Sequence, residues 1–231
     1  MRNALRALTV LLAFSLPAMA TTVSLNFMVV ATGAGGPVAG TAVYQASIPT
    51  SLGQVGSITI QDNADGAGAA GIFSGFDVDA LFLDADGNYL TTGDQTYASN
   101  FLFQAGSILP DGGDPTLEPN GAHPGPTFGS LSATSIDLAT ATLNTIDGNS
   151  VADVNQAFGF LSLGEGGTLT ANFSPGVPVG STLYLITGEV GNNGEGLSAT
   201  VTASDAPVPE PASLLLLGSG LAGIASKLRK K

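Results

Sequence analysis

The segment FDVDALFLDADGNYLTT, residues 76–92, is the clearest evidence in the sequence for a β-fold. Its first part places an apolar residue at every second position: Phe76, Val78, Ala80 and Phe82. Side chains two residues apart lie on the same face of a strand, so the pattern predicts a β-strand with Asp77 and Asp79 on the solvent side. Residues 84–88 have the composition of a turn, which predicts a hairpin whose second strand is 89–92.

The same two-residue period recurs along the chain, in short runs separated by Gly, Pro and Asn. It predicts further strands at residues 22–31, 40–48, 57–61, 101–104, 135–146, 168–173, 183–190 and 197–204. Residues 110–127 contain five prolines and are predicted to form a long loop. The one expected helix outside the two termini is residues 150–158. We therefore predict an all-β protein, with a single antiparallel β-sandwich over residues 21–205.

The N-terminal twenty residues have the organisation of a secretory signal peptide. Arg2 and Arg6 precede a short apolar core at residues 7–16, and the segment ends with Ala18 and Ala20 in an A-x-A pattern. We expect signal peptidase to cleave after Ala20. The mature protein is then exported.

The charge distribution of the chain is extreme. All six Lys and Arg residues lie in the two termini, whereas 17 of the 18 acidic residues lie within 21–205, since Glu210 alone follows Asp205. This domain therefore carries a charge near −17 and contains no Lys or Arg to pair with its carboxylates. We expect no nucleic acid as a direct partner of this domain, because it has no Lys or Arg to neutralise phosphates. The chain has no Cys, so disulfides do not stabilise the domain.

The C-terminal segment, residues 206–231, has three parts. A box at residues 208–213 is followed by an uncharged apolar run at 212–226, and then by a basic tail at 227–231. At about 1.5 Å per residue the run reaches about 22 Å, a short transmembrane helix whose basic flank is typical of the cytoplasmic side. The residues of the box are Val208, Pro209, Glu210, Pro211, Ala212 and Ser213, and those of the membrane stop signal are Lys227, Arg229, Lys230 and Lys231.

This order of box, apolar helix and terminal basic cluster resembles the PEP-CTERM sorting signal of Gram-negative bacteria. The resemblance covers about a tenth of the chain. It implies that a membrane-embedded exosortase removes the tail near Pro209–Pro211. It also implies transient anchoring in the inner membrane, then location at the cell surface or in the extracellular matrix, and an association with exopolysaccharide and biofilm. A plain C-terminal anchor with a Pro-rich stalk is the alternative.

Two oxygen-rich segments are candidate metal sites. Asp84, Asp86 and Asn88 alternate as at the start of a calcium loop, although Tyr89 and Gln95 replace the expected Gly and Glu of an EF-hand. A tight hairpin turn explains the same residues. The turn at 62–65 would add ligands if it lies at the same end of the sandwich. The second segment lies in the Pro-rich loop and comprises Asp111, Asp114, Glu118 and His123.

Other motifs give little support for an enzyme. His123 is the only imidazole, and Gly66–Gly71 matches G-x-G-x-x-G without the following helix that dinucleotide binding requires. We therefore expect a non-enzymatic exported protein, with no cofactor unless calcium binds. The alternative is a secreted glycan-acting enzyme that uses paired carboxylates. A cleft with convergent acids would favour the enzyme, and a closed sandwich the matrix protein.

Overall fold

The computed structural model of the 231-residue chain describes residues 21–32, 40–149, 153–191 and 194–203. Residues Thr21–Ser204 form one compact unit. The predicted signal peptide 1–20, with Ala18 and Ala20, and the predicted sorting region 206–231 lie outside the described residues.

The described chain is all-β and its strands pair antiparallel. The strands are β1 Thr22–Leu25, β2 Met28–Ala31, β3 Thr41–Ser47, β4 Gln54–Asp62, β5 Asp77–Asp84, β6 Gln95–Tyr97, β7 Asn100–Gln104, β8 Ser130–Ser132, β9 Ser135–Ile136, β10 Leu161–Ser162, β11 Thr168–Pro178, β12 Tyr184–Val190 and β13 Leu197–Ala203. One sheet has the order β1-β13-β4-β11-β7, and a second has the order β10-β5-β12-β3-β2, with β6 also paired to β5. Strands β8 and β9 form a small separate hairpin.

The main core lies between the two large sheets. It takes Ile58 and Ile60 from β4 and Leu169 from β11, against Leu81 and Leu83 of β5. The β4–β11 pair buries one face only: on its other face the Thr59 and Thr170 hydroxyls hydrogen-bond at 2.8 Å. Alternation with period two therefore correctly predicted this sheet, and the sandwich-like packing of two antiparallel sheets agrees with the expected fold class.

Strand β5 differs from its prediction. All of its residues are buried, so Asp77 and Asp79 are not on a solvent face. Phe76 and Val78 belong to the main core together with Leu81 and Leu83, whereas Ala80 and Phe82 pack in another cluster on the outer face. The cause is a β-bulge: Thr187 pairs with Leu81 but Glu189 pairs with Val78, so β5 holds one extra residue and its inward side changes parity.

The outer face of the second sheet is covered by the segment between β7 and β11. A cluster of three aromatic rings lies there, with Phe128 4.5 Å from Phe160 and 5.4 Å from Phe73 between ring centroids. Val190 at the end of β12 packs against the same cluster. The proline-rich stretch is a loop, as predicted, and it packs here through Leu117, whose carbonyl accepts the Ile72 N–H at 2.8 Å.

Two predicted strands are wrong in position. The strand that forms the hairpin with β5 is Gln95–Tyr97. Residues 89–92, the predicted second strand of this hairpin, belong to a longer loop. Of residues 135–146 only Ser135–Ile136 is a strand. There Asp137 accepts hydrogen bonds from the Ala139 N–H and the Thr140 hydroxyl, and such local bonds compete with a strand ladder.

Helical structure is slight in the described residues. Two 3₁₀ turns, Thr50–Leu52 and Gly71–Phe73, are present, and the described part of the predicted 150–158 helix is an isolated turn capped by Asp153. None of the helical turns in these ranges has the length and apolar character of a membrane-crossing helix. The predicted span at 212–226 lies outside them.

Candidate functional site

The loop between β5 and β6 brings three carboxylates together. Asp84 ends β5, Asp86 is two residues later, and Asp94 directly precedes β6. One carboxylate oxygen from each lies within 4.8 Å of those from the other two. The sequence predicted Asp84 and Asp86 as ligands but not Asp94, because it predicted the second strand of the hairpin at residues 89–92 instead of Gln95–Tyr97. With the correct pairing of Asp84 with Gln95, Asp94 is adjacent to the turn.

Asp84 is the buried member of this group. Its side chain is 0% exposed, and its Oδ1 accepts the backbone N–H groups of Gly87 and Asp86. Burial raises the pKa of Asp84, although the Gly87 N–H opposes this effect, and the charges of Asp94 and Asp86 raise it further. Asp86 is exposed and Asp94 half-buried, so the group opens towards solvent.

Asn88 makes local hydrogen bonds within the loop. Its Oδ1 accepts the Leu90 N–H at 3.4 Å, and its own N–H is held by Asp86 Oδ1 at 2.7 Å. These bonds fold the loop on itself, as the turn interpretation of the sequence expected.

The turn at 62–65 does not join this group. Asp62 Oδ2 accepts the Phe76 N–H at 3.0 Å, which places the turn beside the start of β5, whereas Asp84 is at its end. At about 3.3 Å per residue the two ends of β5 are roughly 23 Å apart. Asp62 Oδ1 also accepts the N–H groups of Ala64 and Gly166, both at 2.8 Å, so this carboxylate is a structural clamp.

A second set of carboxylates is buried in the described part of the chain and was not predicted. Asp77, Glu189 and Glu195 are at most 4% exposed. Burial raises the pKa of Glu195 to about 10, and the neighbouring Asp77, Glu189 and Asp62 charges add to the increase. Burial likewise raises the pKa of Asp77 well above its usual range, against the hydrogen bond from the Ser162 hydroxyl. The raised pKa favours the neutral form of Glu195, which reduces the charge the fold must bury.

The G-x-G-x-x-G match has a packing role at this place. A Cβ on Gly68 would lie 1.5 Å from Glu195 Oε1, so only Gly leaves room for that carboxyl group. Gly71–Phe73 is a single 3₁₀ turn that leads into β5. The long helix needed for dinucleotide binding does not follow the motif.

The Pro-rich loop uses its acids locally. Asp111 Oδ1 accepts the Gly113 N–H at 2.8 Å, and Asp114 Oδ1 accepts the Thr116 N–H at 2.9 Å. Glu118 hydrogen-bonds to Asp111, and the His123 ring packs against Phe128 with 4.8 Å between centroids. The structure therefore does not gather these four predicted residues into one carboxylate group.

A cleft of about 680 Å³ lies between β7 and the segment after β9. Hydroxyl and amide side chains line it beside apolar ones, and its described lining contains neither carboxylates nor imidazoles. The lining residues are Ala98, Ser99, Asn100, Phe101, Thr134, Ser135, Ile136, Leu138, Ala141, Thr142, Leu143, Asn144 and Thr145.

Comparison with known proteins identifies the C-terminal segment. No curated protein and no solved structure matches the chain significantly. Residues 207–230 match the family model of the PEP-CTERM protein-sorting motif, which includes the box Val208–Ser213 and reaches Lys230 in the basic tail. The predicted resemblance is thereby confirmed. The chain carries a C-terminal PEP-CTERM protein-sorting motif, which marks it as an exported protein targeted to an exosortase.

Proposed function

We propose that the protein is a non-enzymatic, acidic surface or matrix protein that an exosortase releases from the inner membrane and that associates with exopolysaccharide. The observation that carries this proposal is the match of residues 207–230 to the PEP-CTERM motif. Signal peptidase removes residues 1–20, and the apolar segment 212–226 then holds the chain in the membrane. The exosortase cuts near Pro209–Pro211 and frees the domain.

The chemistry of the box suits this step. Each proline fixes its own φ and disfavours helix in the residue before it, so the sequence of the box, with Pro209 and Pro211, favours an extended backbone. We expect the exosortase to bind the box in this extended form. Glu210 provides the single charge within the box.

The cleft supports an association with a polysaccharide. Thr134, Asn144 and Thr145 offer exposed hydroxyl and amide groups, and Phe101 and Ile136 offer apolar surface. Sugars present alternating hydroxyl groups and apolar C–H faces, which such a lining complements. Because the domain carries only negative formal charge, a neutral polysaccharide is a better direct ligand than an acidic one.

The position of the acids favours this function over the glycan-acting enzyme. A glycosidase needs two carboxyl groups on either side of a bond in an accessible cleft. Asp77 and Glu195, whose pKa values are raised, are each only 4% exposed, and the described lining of the cleft contains no carboxylate. The acids with raised pKa values and the accessible cleft, which a glycosidase would combine in one site, are thus separate.

Two experiments test the proposal. Replacing Pro209, Glu210 and Pro211 by Ala in the native host should leave export intact and retain the domain on the membrane; release at the normal rate would contradict exosortase processing at this box. Co-sedimentation of the released protein with purified host exopolysaccharide tests the association. The triple variant T134A/N144A/T145A should bind less, whereas S51A/S181A/S198A, which changes exposed hydroxyls outside the cleft, should bind normally. Equal binding by both variants would exclude the cleft.

A further inference from the structure

We propose that Asp84, Asp86 and Asp94 bind one calcium ion in the loop between β5 and β6. This site is independent of the sorting signal and of the polysaccharide cleft. None of its three residues lines that cleft.

The first observation is the close approach of like charges. Oxygens from all three carboxylates lie within 4.8 Å of one another. When all three carboxylates are ionised such a group is repulsive, and a cation among its members would relieve the repulsion. Residues 21–205 contain no Lys or Arg that could serve as the counter-charge, and the single His123 lies in the Pro-rich loop against Phe128. A bound divalent ion would supply it.

The second observation concerns Asp84 alone. Its side chain is 0% exposed, and while Oδ1 accepts two backbone N–H groups, the buried Oδ2 accepts no hydrogen bond from the described part of the chain. Leaving a buried carboxylate oxygen without a donor is costly, and such atoms are rare in folded proteins. A metal ion bound to Oδ2 satisfies it without a hydrogen-bond donor.

The ligand set selects the metal. Three carboxylates and no sulfur or imidazole favour a hard cation over zinc or copper. Calcium accepts six to eight oxygens in flexible geometry, and the exposure of Asp86 leaves room for water to complete the shell. Magnesium demands a stricter octahedron, which an exposed loop provides less readily. A dissociation constant on the order of 10⁻⁴–10⁻³ M, typical of extracellular calcium modules, is expected for this site.

Binding would fix the loop at both of its ends. Asp84 closes β5 and Asp94 precedes β6, and these strands pair at Asp84 with Gln95 and at Phe82 with Tyr97. The loop between them is held by side chain–backbone bonds such as Asp86 to Asn88 and carries the exposed Leu90. Calcium therefore should stabilise the β5–β6 hairpin, the part of the second sheet closest to the site.

The test is isothermal titration of the full-length chain in detergent with calcium chloride, at physiological ionic strength. The wild type should bind one equivalent. D86N/D94N removes two ligands but keeps buried Asp84, and its affinity should fall at least about tenfold. The matched control D111N/E118Q removes two neighbouring charges in the Pro-rich loop and should bind like the wild type. Far-ultraviolet circular dichroism verifies that both variants fold.

Thermal melting gives a second readout that separates binding from screening. Millimolar calcium should raise the melting temperature of the wild type and the control more than sodium chloride of equal ionic strength does. That excess should vanish in D86N/D94N. Absence of a saturable calcium heat in the wild type, or equal loss in both double variants, would overturn the site.

Discussion

Asp79 in the middle of β5 holds the backbone of Gly148 in the covering segment. Its Oδ1 accepts the Gly148 N–H at 2.7 Å and the adjacent Asp147 N–H at 2.9 Å, and the side chain is 0% exposed. One buried carboxylate thus connects β5, an interior strand of the second sheet, to the irregular chain that covers the outer face of that sheet.

The burial of Asp79 makes the stability of the fold depend on pH. Burial raises the pKa of Asp79 from 3.8 to about 7, against the opposing effect of the Gly148 and Asp147 N–H groups. In the interval between these values the folded state keeps a proton that the unfolded chain has released. The stabilisation from protonated Asp79 is therefore fully present below about pH 4 and is lost as the pH rises through about 7.

We expect the melting temperature to fall by several degrees between about pH 5 and pH 8, since about 1 kcal/mol shifts a domain of this size by about 2–4 °C. D79N retains the acceptor oxygen for both N–H groups but cannot ionise, so its decline should be smaller. Melting curves at the two pH values measure the difference. D65N, which alters an exposed acid, is the control and should follow the wild type. Identical slopes in D79N and the wild type would contradict this assignment.

The aromatic cluster beneath the covering segment should contribute strongly to stability. Phe128 is 0% exposed between Phe73 and Phe160, whereas Phe158 is 53% exposed. F128A should lower the free energy of unfolding by about 3–5 kcal/mol, because it removes a buried ring and leaves a cavity. F158A should change it by no more than about 0.5 kcal/mol. Urea denaturation checks both, and similar losses would mean that the covering segment is not packed as described.

Salt should stabilise the domain. With 17 acids and no Lys or Arg in residues 21–205, ionised surface carboxylates repel one another. Raising sodium chloride from a few millimolar to physiological strength shortens the screening length to about 8 Å and should raise the melting temperature. A melting temperature that falls with salt would show that repulsion does not limit stability.

The sequence predicted the one-sided sheet well and the interior strand β5 of the other sheet poorly. In β4 and β11, apolar residues alternate with Thr, and period two reports directly which side is buried. Strand β5 is covered on both faces and contains a bulge, so alternation across Asp77 and Asp79 suggested solvent where there is protein. In a domain with so many acidic residues at its surface, the local sequence does not distinguish a buried Asp from an exposed one.

The candidate metal site shows the same limit. The alternation of Asp84, Asp86 and Asn88 is local and was visible in the sequence. The place of Asp94 beside these residues depends on the pairing of Asp84 with Gln95, which the sequence did not predict. The turn residues indicated a short hairpin, whereas Asp84 and Asp86 hold a longer loop through side chain–backbone hydrogen bonds. The sorting motif required no tertiary structure, since a linear signal is recognised in order along the chain. The sequence therefore predicted the motif, and the family match at residues 207–230 confirms it.

Intact-mass measurement of the protein recovered from the surface of its native host tests the central claim most directly. Processing at both ends predicts a chain that begins at Thr21 and ends near Pro209–Pro211, without residues 212–231. A mature protein that still carries residues 212–231 would show a simple membrane anchor and contradict exosortase processing.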